Sequence, residues 1–324
     1  MSVTTRRAFL GAAASTAAGL GAGLALAPAS AGTTAGGAAG TRSAPARHLH
    51  AHPGLAPGLA PGARAAGFTV SPRTYGLGGD WLGAARRADA YLGMPLAVTM
   101  QKAYYGARAA RPGRGAEALG AAGCEVLACL APGPGLTNAA QDQLAGFVRA
   151  GKAAGVKFRV ILQQEITDSR RFTQVSWLAY WRHYAPVVQS EGIACAYDPA
   201  GNPHAIGRAL DWFPSHPLPD EVWVDFYGSA WLHGSRLEAL LAHAASLGVP
   251  AGLGEWGCAV RGNHLLSRGQ WDAYCAYLAS VAPSLRLGGA YYGSAHLGCR
   301  NNVVEGPRDW KIPGIRRVAA ALAG

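Results

Sequence analysis

Acids are scarce in this chain of 324 residues, which has 18 aspartates and glutamates against 29 lysines and arginines and is only 15% charged. That excludes an acidic, self-solvating disordered protein. It also makes each carboxylate in an apolar setting informative, because a buried, unpaired one is costly. The formal charge of +11 comes without any run of Lys and Arg interleaved with aromatics. It therefore reads as diffuse surface charge rather than a nucleic-acid interface. No C-x-x-C pair or Cys/His spacing marks a zinc site, and no G-x-G-x-x-G or phosphate loop marks a nucleotide site. A G-x-S-x-G elbow with a Ser/His/acid set, as acyl transfer would need, is missing too. Beyond the N-terminal thirty or so residues, nothing is long and apolar enough to span a bilayer.

What is present begins with Thr5-Arg6-Arg7-Ala8-Phe9-Leu10, a mild Ala/Gly/Leu stretch to Ala27, and Ala29-Ser30-Ala31. Paired arginines, a modest apolar region and a small-residue site predict a twin-arginine export signal over residues 1–31, cleaved near Ala31. The rival, a membrane anchor, is disfavoured by Gly19, Gly21 and Gly23. The expected location is secreted and extracellular, with a mature charge of 11 − 2 = +9. Residues 32–66, with the tandem GLAPGLAPGA, predict a disordered linker in which His48, His50 and His52 are solvated. The catalytic domain is expected over 67–324. Export permits disulfides, and Cys258 with Cys299 is the expected pair, each following a predicted strand. Cys124, Cys129, Cys195 and Cys275 are expected as buried thiols.

From Gly67 onward, strand-length apolar runs alternate with amphipathic helical patterns. Strands are predicted around 73–78, 96–100, 124–130, 158–163, 193–197, 222–227, 250–255 and 287–292. Helices are predicted over 80–92, 137–154, 173–190, 234–247 and 267–282, punctuated by Gly151, Gly155, Gly192 and Gly248. Eight such units over about 250 residues predict a (β/α)8 TIM barrel. A doubly wound open sheet shares the alternation but lacks its nucleotide motif here.

Two predicted strands end on a lone acid: KFRVILQQE at Glu165 and VPAGLGE at Glu255. Barrel chemistry collects at the C-terminal strand ends, and only a closed fold would join acids 90 residues apart. Two carboxylates across a barrel mouth are what glycoside hydrolysis requires. The bland alternative pairs each glutamate with a nearby arginine, such as Arg170 or Arg261. Trp256 and Trp231 follow strand ends, where a ring could pack on the C–H face of a sugar, and Tyr104 and Tyr105 follow strand two. Trp177 and Trp181, four apart on a helix, are expected in packing. Asp225 reads equally as a ligand contact or a buried ion-pair partner.

The strand ends at Glu165 and at Glu255-Trp256-Gly257 resemble those of clan A glycoside hydrolases. SWLAYWRHYAPVVQSEGI (176–193), Tyr197-Asp198-Pro199, PDEVWVDFYGSAW (219–231) and LGEWG (253–257) are similar to family 26, the β-mannanase group. The resemblance implies Glu165 as general acid/base, Glu255 as nucleophile and Tyr227 as the phenol that hydrogen-bonds the nucleophile. It departs at Gln164, where the family has histidine, at LAPGPG (130–135), where a histidine is missing, and at Tyr291 and Tyr292, where the family has tryptophan. Gln164 and Tyr292 are therefore expected to shape the sugar subsite. The implied activity is a secreted retaining hydrolysis of β-linkages in a polysaccharide, endo-acting, with no cofactor and a monomeric barrel. The alternative is a non-catalytic barrel that binds carbohydrate or cell-wall glycan.

Overall fold

The computed structural model describes residues 65–70, 75–77, 79–106, 109–133, 135–260, 264–293 and 302–324. The signal segment 1–31, nearly all of the linker and Cys299 lie outside the described residues. Eight parallel strands form the centre: β1 (Ala65–Thr69), β2 (Met100–Tyr105), β3 (Glu125–Leu130), β4 (Phe158–Leu162), β5 (Cys195–Tyr197), β6 (Glu221–Tyr227), β7 (Ala251–Gly257) and β8 (Gly288–Tyr292). Their hydrogen-bonded order is β1-β8-β7-β6-β5-β4-β3-β2. The two end strands meet side by side, since a β-carbon on Gly67 of β1 would lie 2.7 Å from Met100 Cβ of β2. The sheet is thus a nearly closed (β/α)8 barrel.

Helices wrap it: α1 (Trp81–Leu92), α2 (Arg114–Ala121), α3 (Asn138–Ala153), α4 (Gln174–Ser190), α5 (Gly234–Ser246), α6 (Arg268–Val281) and α7 (Ile312–Ala323). Side chains start two of them where the sequence suggested. Thr173 with Ser176 and Ser267 with Gln270 form reciprocal capping boxes that satisfy free N–H groups at the starts of α4 and α6. Between β5 and β6 the described crossover has only a 3-10 turn, Ile206–Arg208. Among the described residues no helix is long and apolar enough to cross a membrane.

Two apolar clusters follow from the period-two alternation of strands buried on both faces. Outward residues such as Phe68, Val126, Val160, Val224 and Leu253 pack on the helices, whereas Met100, Leu127, Ile161, Ala196, Trp223 and Ala290 fill the barrel interior. Trp177 and Trp181 are buried in the outer cluster, as their spacing predicted.

Two predicted strands differ. The first strand is Ala65–Thr69, not 73–78: its AAGFT composition looks like linker, and Phe68 alone announces burial. The second starts at Met100, where the predicted 96–100 run ends. Residues just before it are tied back to α1, because the Asp89 carboxyl accepts from Ala97 N at 2.6 Å and Val98 N at 3.3 Å. Two helices, α2 and α7, answer to no predicted element.

Candidate active site

The C-terminal end of the barrel gathers carboxylates from four strands around a single buried lysine. Alternation along β2 turns Met100, Lys102 and Tyr104 inward. Lys102 is 1% exposed, and its Nζ lies 3.0 Å from Asp198 Oδ2, 2.6 and 2.7 Å from the Asp225 oxygens, and 3.3 Å from Glu255 Oε1. Asp198 follows β5, and Asp225 lies within β6. Among the described residues no cluster of His, Cys, Asp and Glu is arranged to hold a metal ion.

Glu255 reaches this ring because β7 carries one residue more than its neighbours. Val224 pairs with Leu253, but the next residue, Asp225, pairs with Glu255, and on the other side Gly289 pairs with Leu253 and Tyr291 with Trp256. Gly254 is the extra residue, a bulge that reverses the alternation after it. Leu253 faces the helices, Glu255 faces the interior beside Asp225, and Trp256 faces the helices again. The space at Gly254 is already taken: a β-carbon there would lie 2.5 Å from Asp225 Oδ1 and 3.3 Å from Lys102 Nζ.

The Glu255 carboxyl, 2% exposed, accepts from three directions: the Tyr227 hydroxyl at Oε2, and Gln164 Nε2 at 3.1 Å and the Lys102 ammonium at Oε1. Burial raises its pKa above the ordinary carboxylate range, and Lys102 opposes that shift with its charge and its hydrogen bond. Gln164 also donates to Asp225 Oδ2 at 3.0 Å and approaches the Tyr104 hydroxyl at 3.4 Å. With carboxylates on both sides, its amide nitrogen must be the atom that points at them.

Glu165 sits in a different environment. Gln163 and Glu165 both take up left-handed backbone, with φ of 57° and 50°. Each such non-glycine residue costs about 1–3 kcal/mol and persists only where its surroundings enforce it. The turn is pinned by Gln163 N donating to Leu130 O and Ile166 N donating to Asp198 O. The Glu165 carboxyl makes no hydrogen bond or ion pair with a described residue. Burial first, then the charges of Asp225 and Asp168, push its pKa up to about 7 against the opposing pull of Lys102. Two glutamates with contrasting environments thus share one barrel mouth, one held by donors and one ready to carry a proton.

Other expected residues divide. Tyr227 meets Glu255, Gln164 joins Glu255 to Asp225, and Tyr292 lies on the inner face with its ring edge-on to Tyr227 at 6.2 Å. Trp256 is a correction: it is 1% exposed, stacks on Trp271 at 6.2 Å and an 11° interplanar angle, and faces α6 rather than the mouth. Tyr105 is another, since it packs edge-on against Phe147 of α3 at 4.9 Å. Its neighbour Tyr104, 46% exposed, holds the mouth position. The Trp231 side chain lies outside the described residues. Lys102 and Asp198 were missed by the sequence reading. The inward alternation of Met100, Lys102 and Tyr104 was the available signal, hidden by the misplaced start of β2.

No family model matches the sequence, and no curated protein does. Among solved structures, a glucosidase from Croceicoccus marinus aligns over 81% of this chain and 68% of its own, at 11% identity and a TM-score of 0.52. A mutant of Gas2p from Saccharomyces cerevisiae, in complex with laminaritetraose and laminaripentaose, aligns over 80% of this chain and 64% of its own, at 14% identity and a TM-score of 0.50. A modular endo-β-1,4-mannanase of family 26 from Cellulomonas fimi, at 16% identity over 64% of this chain and 55% of its own, reaches a TM-score of 0.45, too low to carry the family 26 likeness further. At these identities the likeness is one of fold, and it agrees with the strand order: this chain is a (β/α)8 barrel whose acid-lined mouth lies at the strand ends where barrel enzymes do their chemistry.

Proposed function

We propose that this protein is a glycoside hydrolase that cleaves β-linkages in a polysaccharide by double displacement. The observation that carries the reading is the contrast between its two glutamates. Glu255, oriented by Tyr227, Gln164 and Lys102, is suited to attack; Glu165, without a partner among the described residues and with a pKa of about 7, is suited to protonate. In the first step a Glu255 oxygen bonds to the anomeric carbon as the glycosidic C–O bond breaks, and Glu165 gives its proton to the departing oxygen. In the second, Glu165 takes a proton from water, the resulting oxygen nucleophile attacks the anomeric carbon, and the bond to Glu255 breaks. Nothing in either step calls for a cofactor. The polymer is taken to be mannan or a related β-glycan, attacked internally by a monomeric enzyme exported through the twin-arginine route. The family 26 likeness and the N-terminal sequence support those finer points.

The test is to incubate purified protein with mannans, xylans, mixed-linkage glucans and actinobacterial wall glycans. Released oligosaccharides are measured, and the anomer formed first is read by NMR. Retention of configuration is expected. Glu165→Gln should lower turnover by about 100- to 10,000-fold, and Glu255→Ala should abolish it with the fold intact by circular dichroism. Near-normal rates in either variant would falsify the assignment. Glycan binding without any product would favour the non-catalytic barrel.

A further inference from the structure

The proposed reaction needs a negative charge on Glu255, and burial opposes that charge. We infer that Lys102 is a positioning residue, a buried ammonium that fixes the charge and orientation of Glu255 without touching substrate. The inference rests on Glu255 being the nucleophile. Lys102 Nζ contacts Glu255 at 3.3 Å while both Asp225 oxygens hold it from the opposite strand at 2.6 and 2.7 Å. Gln164 bridges the same two carboxylates. The ammonium is wholly buried, and the Tyr104 ring lies 6.0 Å from it, toward the mouth. It therefore acts through Glu255. β7 is shaped to admit it, because Gly254 leaves empty the volume that the Lys102–Asp225 pair fills.

The groups around Glu255 come from every neighbouring strand. β2 supplies Lys102, and β6 supplies Asp225 and Tyr227. The turn after β4 supplies Gln164 and Glu165, and β8 places Tyr292 against Tyr227. The third lysine contact, Asp198 after β5, has an Oδ1 with no hydrogen-bond partner among the described residues, and burial with the Asp225 charge holds its pKa well above the ordinary range. Cys129 of β3 also feels Lys102, but burial keeps its pKa well above the usual thiol value. Asp225 and Glu255 share this one ammonium. Without it, the two carboxyls face each other across Gln164 alone, and burial favours the protonated form of Glu255 further.

The experiment follows the Glu255 carboxyl by 13C NMR in protein labelled at glutamate Cδ, with the signal assigned by its loss in Glu255→Gln. In Lys102→Met the Glu255 titration should move up by about one to three pH units. The acid limb of kcat/KM should move with it, with plateau kcat reduced and KM little changed. An unmoved titration in folded Lys102→Met overturns the inference and makes the lysine a packing residue. If that variant fails to fold, Lys102→Met combined with Asp198→Asn removes the ammonium together with its spare acid, and the same shift is expected, an unmoved signal again being fatal. The NMR readout needs no turnover. A shifted carboxyl in a protein that hydrolyses no glycan would sink the hydrolase reading and the catalytic role of Lys102 with it, leaving only its electrostatic hold on Glu255.

Discussion

A proton on Glu165 is stabilised by burial and by the charge of Asp225, and this sets the alkaline side of the pH response. For an acid that must hold its proton in the free enzyme, kcat/KM should fall as pH rises through about 7. Glu165→Gln should erase that limb from whatever activity remains. Tyr227→Phe removes a hydrogen bond to a charged carboxylate, an interaction of about 1.5–3 kcal/mol, so about a 10- to 100-fold loss of kcat/KM is expected. The exposed ring of Tyr104 beside Gln164 is placed to pack on a sugar, and Tyr104→Ala should raise KM more than it lowers kcat. Glu165 and Glu255 could be singled out because an acid closing an apolar run stands out, whereas Tyr227 was singled out only through the resemblance to clan A. Lys102 was hidden by the misplaced start of β2, and Asp198 by contacts that form only between strands far apart in sequence. Trp256 misled because strand-end proximity says nothing about which face a side chain takes.

That face is decided at the scale of the element, by the bulge in β7. Gly254 lets Glu255 and Trp256 exchange the sides that strict alternation would give them. Gly254→Ala would drive a methyl group into Asp225 Oδ1, so it should disturb the ion pair with Lys102. The expected result is a large loss of kcat with a smaller loss of thermal stability, read by parallel kinetics and calorimetry. Most strand and helix bounds could be read because apolar period and Gly punctuation agree there, as at β3, α3, β4 and α4. A bulge cannot be read that way, since one inserted residue leaves the composition of the strand unchanged. The same limit applies to β1, whose Ala-Ala-Gly start looks like the linker before it.

Over the whole molecule the two ends of the barrel differ in how fully their acids are paired. At the N-terminal end Arg159 joins Glu125 and Glu221, and the Trp223 ring N–H donates to Glu221 at 2.8 Å, so each carboxylate there has a donor. At the mouth, acids outnumber their one buried lysine, which is a source of instability. The folded pKa of Glu165, about 7, lies above the ordinary 4.5, so the native state binds this proton more tightly than the unfolded chain does. Its contribution to stability is present at low pH and is lost as pH rises from about 4.5 through 7. Glu165→Gln should therefore be more stable than the native protein in urea at pH 8, with the gap narrowing at pH 5. Equal midpoints at pH 8 would contradict this. The (β/α)8 class itself was legible, because eight alternating units leave few ways to bury both faces of a parallel sheet.

The sheet runs from β2 round to β1 with no ladder between those two among the described residues. Lys102 therefore hangs from a strand whose backbone ladder runs along one edge only, to β3. Its other edge is held by the close approach of Met100 to Gly67 and by Gln101 Nε2 donating to Val70 O. Gentle heating should loosen this side first and draw the ammonium away from Glu255 while the other staves still hold. Catalysis would then fade several degrees below the melting point, and amide exchange along Met100–Tyr105 would quicken over the same interval.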